Sequence, residues 1–482
     1  MRRLALLLAV VSVAVGCKER NPDYCPDAGV MFHKSCSEYN ASLDAQPDVT
    51  DARDAEGGGD AADAQDLADA VEAAPEVKPP ICVVDDDCRT DGGTFACDTV
   101  DGGAMCVECT KNEHCAGTKP VCDPAARKCV ECTGAAANAA LECKVDSKKS
   151  VCLASSQSCV QCLDDSKCSG VTPKCDGHIC RACRSDAECG GENVCLDSGA
   201  CASAEVIFVE FKAAGCAGAT GASDKPFCNP SDAVAAVAAG KGFVIVIKGP
   251  ASGPLLLDTP VTTTIVVVGR KNTAGESPVI PLGVLTGVHV STGNVLVRDL
   301  AVTGGTAASA KGAVVTGAGV TLTLRNVSID TGTGLGVQAD TGATLAMDQC
   351  TVKNNPGGGL LINGASYNVT NSVFATSSYG VKFNVPKAPT SFAFNTVVAN
   401  TSIAVSCDLS NPQTLTASIV AGFNDSCTLT NCVTTAPTFD AARPFRLTAH
   451  LACPMAPASF PDHDIDGDAR TAPIDCGADQ FK

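Results

Sequence analysis

The sequence has no tryptophan, few aromatic residues of any kind and no excess of positive charge. Aromatic residues make up 4% of its 482 residues, and the formal net charge is -18. A nucleic-acid-binding protein needs a basic surface, which this composition does not supply. A protein with several membrane-spanning helices needs repeated apolar runs of about 20 residues, and none follows residue 16. These absences exclude both classes and leave an acidic, exported protein as the prediction.

The first 16 residues are typical of an export signal. Arg2 and Arg3 precede the apolar run 4–15, which is too short to span a bilayer as a helix. Gly16-Cys17 follows and resembles the bacterial lipoprotein processing site. The resemblance implies that Cys17 becomes the acylated first residue of the mature protein and its contact with the membrane. The alternative is an ordinary signal peptide that happens to contain a cysteine.

The cysteine count supports an oxidising compartment outside the cytoplasm. The chain has 31 cysteines, so 30 remain once Cys17 is set aside. They divide evenly by region: Cys25 with Cys36, twenty from Cys82 to Cys201, Cys216 with Cys228, and six from Cys350 to Cys476. Even sets in an exported chain predict a disulfide framework. We therefore expect a lipid-anchored protein of the cell envelope, at the outer membrane or the cell surface.

Segments 17–40 and 41–80 precede any segment able to fold on its own. The first would carry the lipid and the short Cys25/Cys36 pair. The second is rich in Ala, Asp, Glu and Pro and has almost no large apolar residue to bury. Such a composition predicts a disordered acidic linker that holds the rest of the chain away from the membrane.

Residues 81–202 contain an internal repeat of five units with four cysteines each. Two residues separate the last cysteine of one unit from the first of the next, and each unit is too small to build a hydrophobic core. We expect structural disulfides within the units rather than zinc ribbons or a redox catalyst, with three pairings open per unit. Asp85, Asn112, Asp165 and Asp186 follow the first cysteine by three residues, and we predict that they form local side-chain-to-backbone turns. The five sets are Cys82, Cys88, Cys97, Cys106; Cys109, Cys115, Cys122, Cys129; Cys132, Cys143, Cys152, Cys159; Cys162, Cys168, Cys175, Cys180; and Cys183, Cys189, Cys195, Cys201.

Residues 203–482 follow a different pattern, with sparse cysteine and abundant Val, Thr, Gly and Ala. Short β-branched strands recur every 22 to 27 residues, and Gly-led strands lie between them. This period predicts a parallel β-helix in which polar residues occupy a tight left-handed corner. The predicted corner positions are Asp299, Asn326, Gln349, Asn371 and Asn395.

The two ends of this region resemble a known group of bacterial surface proteins. Segment 215–228, with Pro226-Phe227, is similar to the opening of secreted right-handed β-helix proteins, and Asp232 follows in a predicted capping helix. Segments 464–470 and 475–480 resemble the closing motif of the choice-of-anchor Q group, although Gln480 stands where that group has Glu. The resemblance implies a right-handed, pectin-lyase-like β-helix with an N-terminal cap. It does not imply lyase activity, because one fold hosts many functions.

Nothing in the sequence assembles a catalytic site. The six acidic residues from 282 to 430 share no tight motif, and His289 has no acid or nucleophile near it along the chain. We therefore expect a binding or scaffolding protein of the envelope, with polysaccharide or another surface partner as ligand. A polysaccharide lyase or glycoside hydrolase is the alternative, since residues on adjacent coils can be close in space.

Two groups of charged residues are candidate ligand sites. Arg298 and Arg325 hold the same outward position on successive coils, and Asp348 follows on the next. They predict either a surface ion-pair ladder or a site for an acidic polysaccharide. Asp462, Asp464, Asp466 and Asp468 alternate like the start of a calcium loop, but the Glu at position 12 is missing. We expect structural closure there, with Arg470 pairing an acid, and no cofactor; bound calcium is the alternative.

Overall fold

The computed structural model describes residues 82–481 apart from 89–95, 100–103, 140, 145, 212–215, 262, 283–285, 306, 444 and 456–458. Cys17, Cys25, Cys36 and the acidic segment 41–80 lie outside the described residues. The described chain folds into a disulfide-rich module followed by a parallel β-helix of about eight coils, which confirms the predicted fold class. One α-helix, α1 (Pro230–Ala238), lies in this part of the chain. No described helix is long and apolar enough to cross a membrane.

The repeat module consists of five units, each built on an antiparallel hairpin closed by two disulfides. In every unit the first cysteine pairs with the third and the second with the fourth. The bonds are Cys82–Cys97, Cys88–Cys106, Cys109–Cys122, Cys115–Cys129, Cys132–Cys152, Cys143–Cys159, Cys162–Cys175, Cys168–Cys180, Cys183–Cys195 and Cys189–Cys201. The strands are β1 (Ala96–Asp98), β2 (Met105–Val107), β3 (Val121–Asp123), β4 (Lys128–Val130), β5 (Val151–Leu153), β6 (Ser158–Val160), β7 (Lys174–Asp176), β8 (Ile179–Arg181), β9 (Val194–Cys195) and β10 (Cys201–Ala202).

The recurring polar residue after the first cysteine has a different partner from the one predicted. Asn112 accepts a hydrogen bond from the backbone N–H of Cys122, at 2.9 Å, and Asp186 accepts one from Cys195, at 2.8 Å. Asp85 and Asp165 reach Cys97 and Cys175 in the same way. The prediction of a local turn was wrong because the side chain spans its unit and binds the first strand of the hairpin. Four of the five units are therefore closed by this hydrogen bond as well as by their disulfides, while unit three has Ala135 at the same position.

The β-helix contains two parallel sheets that share each coil. The 15-stranded sheet, called the first sheet, comprises β11 (Val206–Glu210), β12 (Val244–Lys248), β14 (Ile265–Arg270), β15 (Val279–Pro281), β17 (Asn294–Thr303), β19 (Thr321–Asp330), β21 (Thr344–Asp348), β22 (Thr351–Lys353), β24 (Ser366–Thr370), β25 (Val373–Ala375), β27 (Thr390–Ala393), β28 (Thr396–Val398), β30 (Thr414–Thr416), β31 (Ile419–Val420) and β33 (Thr428–Thr430). The eight-stranded second sheet comprises β13 (Leu255–Leu257), β16 (Thr286–Val290), β18 (Lys311–Val315), β20 (Leu335–Ala339), β23 (Gly358–Asn363), β26 (Tyr379–Asn384), β29 (Ile403–Cys407) and β32 (Asn424–Asp425). A coil thus adds one strand to the second sheet and one or two strands to the first.

The interior of the coils is a continuous apolar column made by alternate strand residues. Leu322, Leu345, Val369 and Phe392 are each at most 1% exposed. The strand residues that alternate with such inward positions point outward, as in β19. Helix α1 begins at Pro230 and packs buried Ala and Val side chains against the first coils, in agreement with the predicted cap. A parallel stack buried in this way needs no hairpins, because each strand pairs with its equivalent on the next coil.

The tight corner of the coils is left-handed at four of the five predicted residues. Asp299, Asn326, Gln349 and Asn371 have positive φ, but on the next coil the corner residue is Phe394. Asn395 lies one position further and is buried, where its Oδ1 accepts from the N–H of Ser372 and its Nδ2 donates to the carbonyl of Val369. The prediction for Asn395 was wrong by one residue because its amide satisfies buried backbone groups inside the turn.

The Gly-led strands are explained by the close approach of successive coils. At Gly336 an added Cβ would lie 2.5 Å from the carbonyl oxygen of Gly359, and at Gly359 it would lie 2.4 Å from that of Gly380. A Cβ atom at these positions would collide with the carbonyl oxygen of the next coil. Glycine therefore recurs at the start of these strands because there is no room for a side chain, and not because of its backbone conformation.

Two cysteines of the β-helix depart from the even-number argument. Cys407–Cys427 and Cys453–Cys476 are disulfides, whereas Cys350 and Cys432 are free thiols. Through the coil register both align with the buried column Ser372, Asn395 and Ser418. Their sulfurs lie within hydrogen-bond range of the carbonyls of Leu324 and Leu415, as serine hydroxyls would. Burial raises the pKa of Cys350 to about 12, so this thiol is an unreactive donor inside the stack.

Candidate functional site

Repeat unit five (residues 183–201) packs on the outer face of the first sheet. Val194 and Ala202 are at most 4% exposed and contact a cluster of outward apolar side chains on the first coils: Phe208, Val244, Val246, Val266, Val268 and Leu296. These outward positions would face water on a bare coil. The repeat module therefore covers an apolar surface that the β-helix would otherwise expose.

Arg298 and Arg325 are register partners on one face, as their spacing predicted. Each forms an ion pair with a carboxylate of the repeat module, and Arg298 also pairs with Asp299 of its own strand. Arg298 Nη2 lies 2.7 Å from Asp186 Oδ1, and its Nη1 lies 2.6 Å from Asp299 Oδ2. Arg325 is held by Asp197 at 2.8 Å. Asp348 is the register partner of Arg325 on the next coil, but its described ion pair is with His463, whose Nε2 lies 3.0 Å from Asp348 Oδ2.

Two further ion pairs extend this contact, and no sequence motif predicts them. Arg270 Nη2 lies 3.0 Å from Asp186 Oδ2, and Lys248 Nζ lies 2.6 Å from Glu192 Oε1. Burial alone would raise the pKa of Asp186, but the hydrogen bond and charge of Arg298, with further hydrogen bonds, outweigh it and lower that pKa. Asp186 occupies the recurring position after the first cysteine of its unit, but its basic partners lie on the β-helix, so only the fold reveals them.

A polar cleft of about 540 Å³ lies where unit five, the arginines and the C-terminus meet. Its lining includes Arg298, Arg325, Asp197, Asn326 and Asp466. The structure thus brings together the two arginines and Asp466 of the acidic motif, which lies 168 residues after Arg298 and 141 residues after Arg325. Carboxylates of unit five already pair with the two guanidinium groups. The cleft is therefore better explained as part of the contact between unit five and the β-helix than as a site for an anionic ligand.

The four aspartates of the acidic motif lie in the closing segment, residues 462–480, and do not converge on one partner. Asp464 is buried and accepts from the N–H groups of Asp466 and Asp468, at 3.0 and 2.9 Å. Arg446 pairs with Asp466 and Asp468, and Asp462 contacts His463. Bound calcium stays a prediction.

Arg470 is buried but takes no acid of the motif as an ion-pair partner among the described contacts. Its Nη2 donates to the carbonyls of Gly477 and Ala478, at 2.8 and 2.9 Å, and to Asn371 Oδ1. The predicted pairing of Arg470 with an acid was wrong; Arg446 fills that role. Arg470 instead closes the turn of the C-terminal segment over the corner of the β-helix.

A second candidate site is a groove on the outer face of the second sheet, with a volume of about 740 Å³. His289 Nδ1 lies 3.0 Å from Asp258 Oδ1, which also accepts a hydrogen bond from the Ser291 hydroxyl at 2.9 Å. No acid lies near His289 along the chain, and its partner Asp258 comes from the preceding coil. The remaining lining includes Leu256, Thr286, Lys311, Val314 and Asp340.

Comparison with known proteins finds no family model, no curated protein and no solved structure that matches this chain.

The closing segment predicts a pH dependence of stability. Partial burial opposes charge on His463, but Asp348 and Asp462 outweigh it and raise its pKa. Burial chiefly raises the pKa of Asp479 to about 6, and the charges of Asp464 and Asp466 add to this. Raised folded-state values stabilise below the unfolded pKa and lose that contribution as the pH rises. We expect the Tm to fall by roughly 2 °C between about pH 5 and pH 8.

The variant His463→Gln should lose part of this fall, because it cannot gain charge at the lower pH. Thermal unfolding followed at both pH values measures the difference, with His114→Gln in the repeat module as the matched control. A variant that keeps the full wild-type difference would contradict the role of His463.

Proposed function

We propose that this chain is a lipid-anchored protein of the bacterial cell envelope whose β-helix binds extracellular polysaccharide in the groove of the second sheet. The observation that carries the proposal is a row of outward side chains along that sheet. Leu256, His289 and Val314 are register partners on successive coils, and Gln338, Leu361, Lys382 and Ser406 continue the row.

The chemistry of the groove suits a saccharide. Leu256 is 43% exposed and offers an apolar surface, while His289 with Asp258 offers hydrogen-bonding groups at its edge. Lys311 and Asp340 add one charge of each sign. Ligand sites combine an apolar floor with a few placed polar groups, and coils about 4.8 Å apart let a polymer follow the row.

We also propose that the β-helix is right-handed and pectin-lyase-like. The similarity of segments 215–228 and 464–480 to the ends of choice-of-anchor Q proteins supports a right-handed, pectin-lyase-like β-helix. The parallel coils, the cap α1 and the buried closing segment are consistent with it.

A polysaccharide lyase or hydrolase is the second candidate, favoured by the His289–Asp258 pair. A histidine oriented by a carboxylate can serve as a general base when substrate lies against its free nitrogen. His289 is partly exposed in the groove, so that nitrogen is accessible to a ligand. Turnover of any polymer, abolished by His289→Gln, would favour the enzyme over the binding protein.

Substitution in the groove tests the binding site. Leu256→Asn combined with Lys311→Ala should weaken binding to the preferred glycan roughly tenfold, because both contacts are lost. A glycan array with the whole protein first identifies that glycan, and titration then gives the affinity of each variant. The matched control is Leu409→Asn on a remote turn, where the side chain is 85% exposed. Equal losses in both variants would contradict a site in the groove.

The anchor is tested separately by labelling cells with a fatty-acid precursor. We expect the mature protein to carry the label and to lose both label and membrane fractionation in Cys17→Ser. If the substitution changes neither, the lipid anchor is wrong while the groove is unaffected.

A further inference from the structure

The connections within the repeat module leave little freedom between neighbouring units. Two residues separate the last cysteine of each unit from the first of the next, and both flanking cysteines are in disulfides. Between β10, which ends at Ala202, and β11, which begins at Val206, there are only residues 203–205. Short connections between fixed ends permit few orientations.

Neighbouring units also hold each other through side chains. Arg127 Nε of unit two lies 2.5 Å from Asp98 of unit one, and Asn112 of unit two donates to Asn138 of unit three at 2.9 Å. Arg181 follows the last cysteine of unit four and binds Glu188 of unit five at 3.0 Å. Such contacts join units one and two, two and three, and four and five; at the join of units three and four, Gln161 accepts a hydrogen bond from the N–H of Cys180.

The contact of unit five with the β-helix has the character of a stable interface. Its centre is apolar, with Val194 fully buried against the first sheet, and its rim carries the ion pairs. The basic partners Lys248, Arg270, Arg298 and Arg325 lie on four consecutive coils, β12, β14, β17 and β19, opposite Glu192, Asp186 and Asp197. An apolar centre with a charged rim is the usual anatomy of a specific interface.

We propose that Asp186 and Asp197 latch unit five to the β-helix, so that the repeat module and the β-helix move as one rigid arm. The proposal does not depend on the lipid or on the ligand of the groove. The module then fixes the orientation of the second sheet relative to Cys82, the first described residue of the module.

Small-angle X-ray scattering of the full chain tests this arm. The variant Asp186→Asn with Asp197→Asn removes both charges but keeps an acceptor for the N–H of Cys195. Asn112 makes the same hydrogen bond in unit two, so the substitution suits the unit. The matched control is Asp165→Asn in unit four, where the carboxylate pairs with Lys174 of its own unit.

We expect one module orientation to fit the scattering of the wild type and of Asp165→Asn at both about 0.05 M and 0.5 M salt. The double variant should require several orientations at both salt concentrations and a larger maximum dimension. Disulfide mapping verifies that it folds, and Asp197→Asn alone, at a half-exposed pair, should show a smaller shift in the same direction.

Two results would overturn the proposal. One is a wild-type curve that needs several module orientations, because the arm would then be hinged. The other is a double variant that scatters like the wild type, because the carboxylates would then not hold the junction.

Discussion

Removal of the Cys162–Cys175 disulfide by Cys162→Ala with Cys175→Ala should unfold repeat unit four and leave the β-helix folded. The bond joins two cysteines 13 residues apart, and one of them, Cys162, is fully buried. A loop of this length contributes about 2–4 kcal/mol, and a unit of this size has no apolar core to replace it. Hydrogen exchange along residues 162–182 measures the loss of protection.

The matched control is removal of Cys407–Cys427 in the β-helix by the same pair of alanines. That bond joins residues 20 apart in coils whose interior is already a continuous apolar column. We expect the strands around it to keep their protection, since packing on neighbouring coils remains. If unit four stays as protected as before, the disulfides are not what holds the unit together.

The second large effect is expected from Phe383→Ala in β26. The ring is fully buried and lies 5.0 Å, centroid to centroid, from Tyr367 and 5.9 Å from Phe392. Deletion leaves a cavity between coils and should lower the free energy of unfolding by about 3–5 kcal/mol. Guanidinium unfolding of the β-helix, followed by circular dichroism, measures this loss.

Lys382→Ala, one residue earlier in the same strand, is the control. Its side chain points outward and is exposed, so we expect a change within about 0.5 kcal/mol. Similar losses of stability in the two variants would contradict the inward position of Phe383 and the outward position of Lys382.

The coil period could be read from the sequence because every coil repeats the same physical demand. Inward apolar residues, a glycine facing the next coil and a left-handed corner must recur at similar spacing. Asp299, Asn326, Gln349 and Asn371 fulfil the last demand. The pattern failed at Phe394, because Asn395 is needed inside the turn and the corner then takes a residue with no polar signature.

The candidate sites could be predicted only in part, because their residues meet across coils or between the module and the β-helix. Arg298 and Arg325 were correctly placed on one face. Their partners Asp186 and Asp197 lie 112 and 128 residues away. The same limit hid Asp258 from His289, since a contact one coil away leaves no local motif.

The even number of cysteines correctly predicted disulfides in the repeat module, where disulfides stabilise the fold. In the β-helix, where apolar packing stabilises the fold, the even number was misleading. In the repeat module all twenty cysteines are bonded within units. In the β-helix Cys350 and Cys432 occupy a buried polar column and remain thiols. An even count is therefore compatible with free thiols when a sulfur replaces a hydroxyl, which the sequence does not distinguish.

The asymmetry between unit five and the other units has a consequence for how the length of this protein can change. Among the described residues of the module, the ion pairs with the β-helix come from unit five, whereas the ion pairs of the earlier units stay within the module. The two-residue connection is the same at each boundary between units. Duplication or loss of an inner unit would therefore leave the contact of unit five with the β-helix unchanged. The distance spanned would then change in fixed steps, so length can be adjusted independently of what the far end binds.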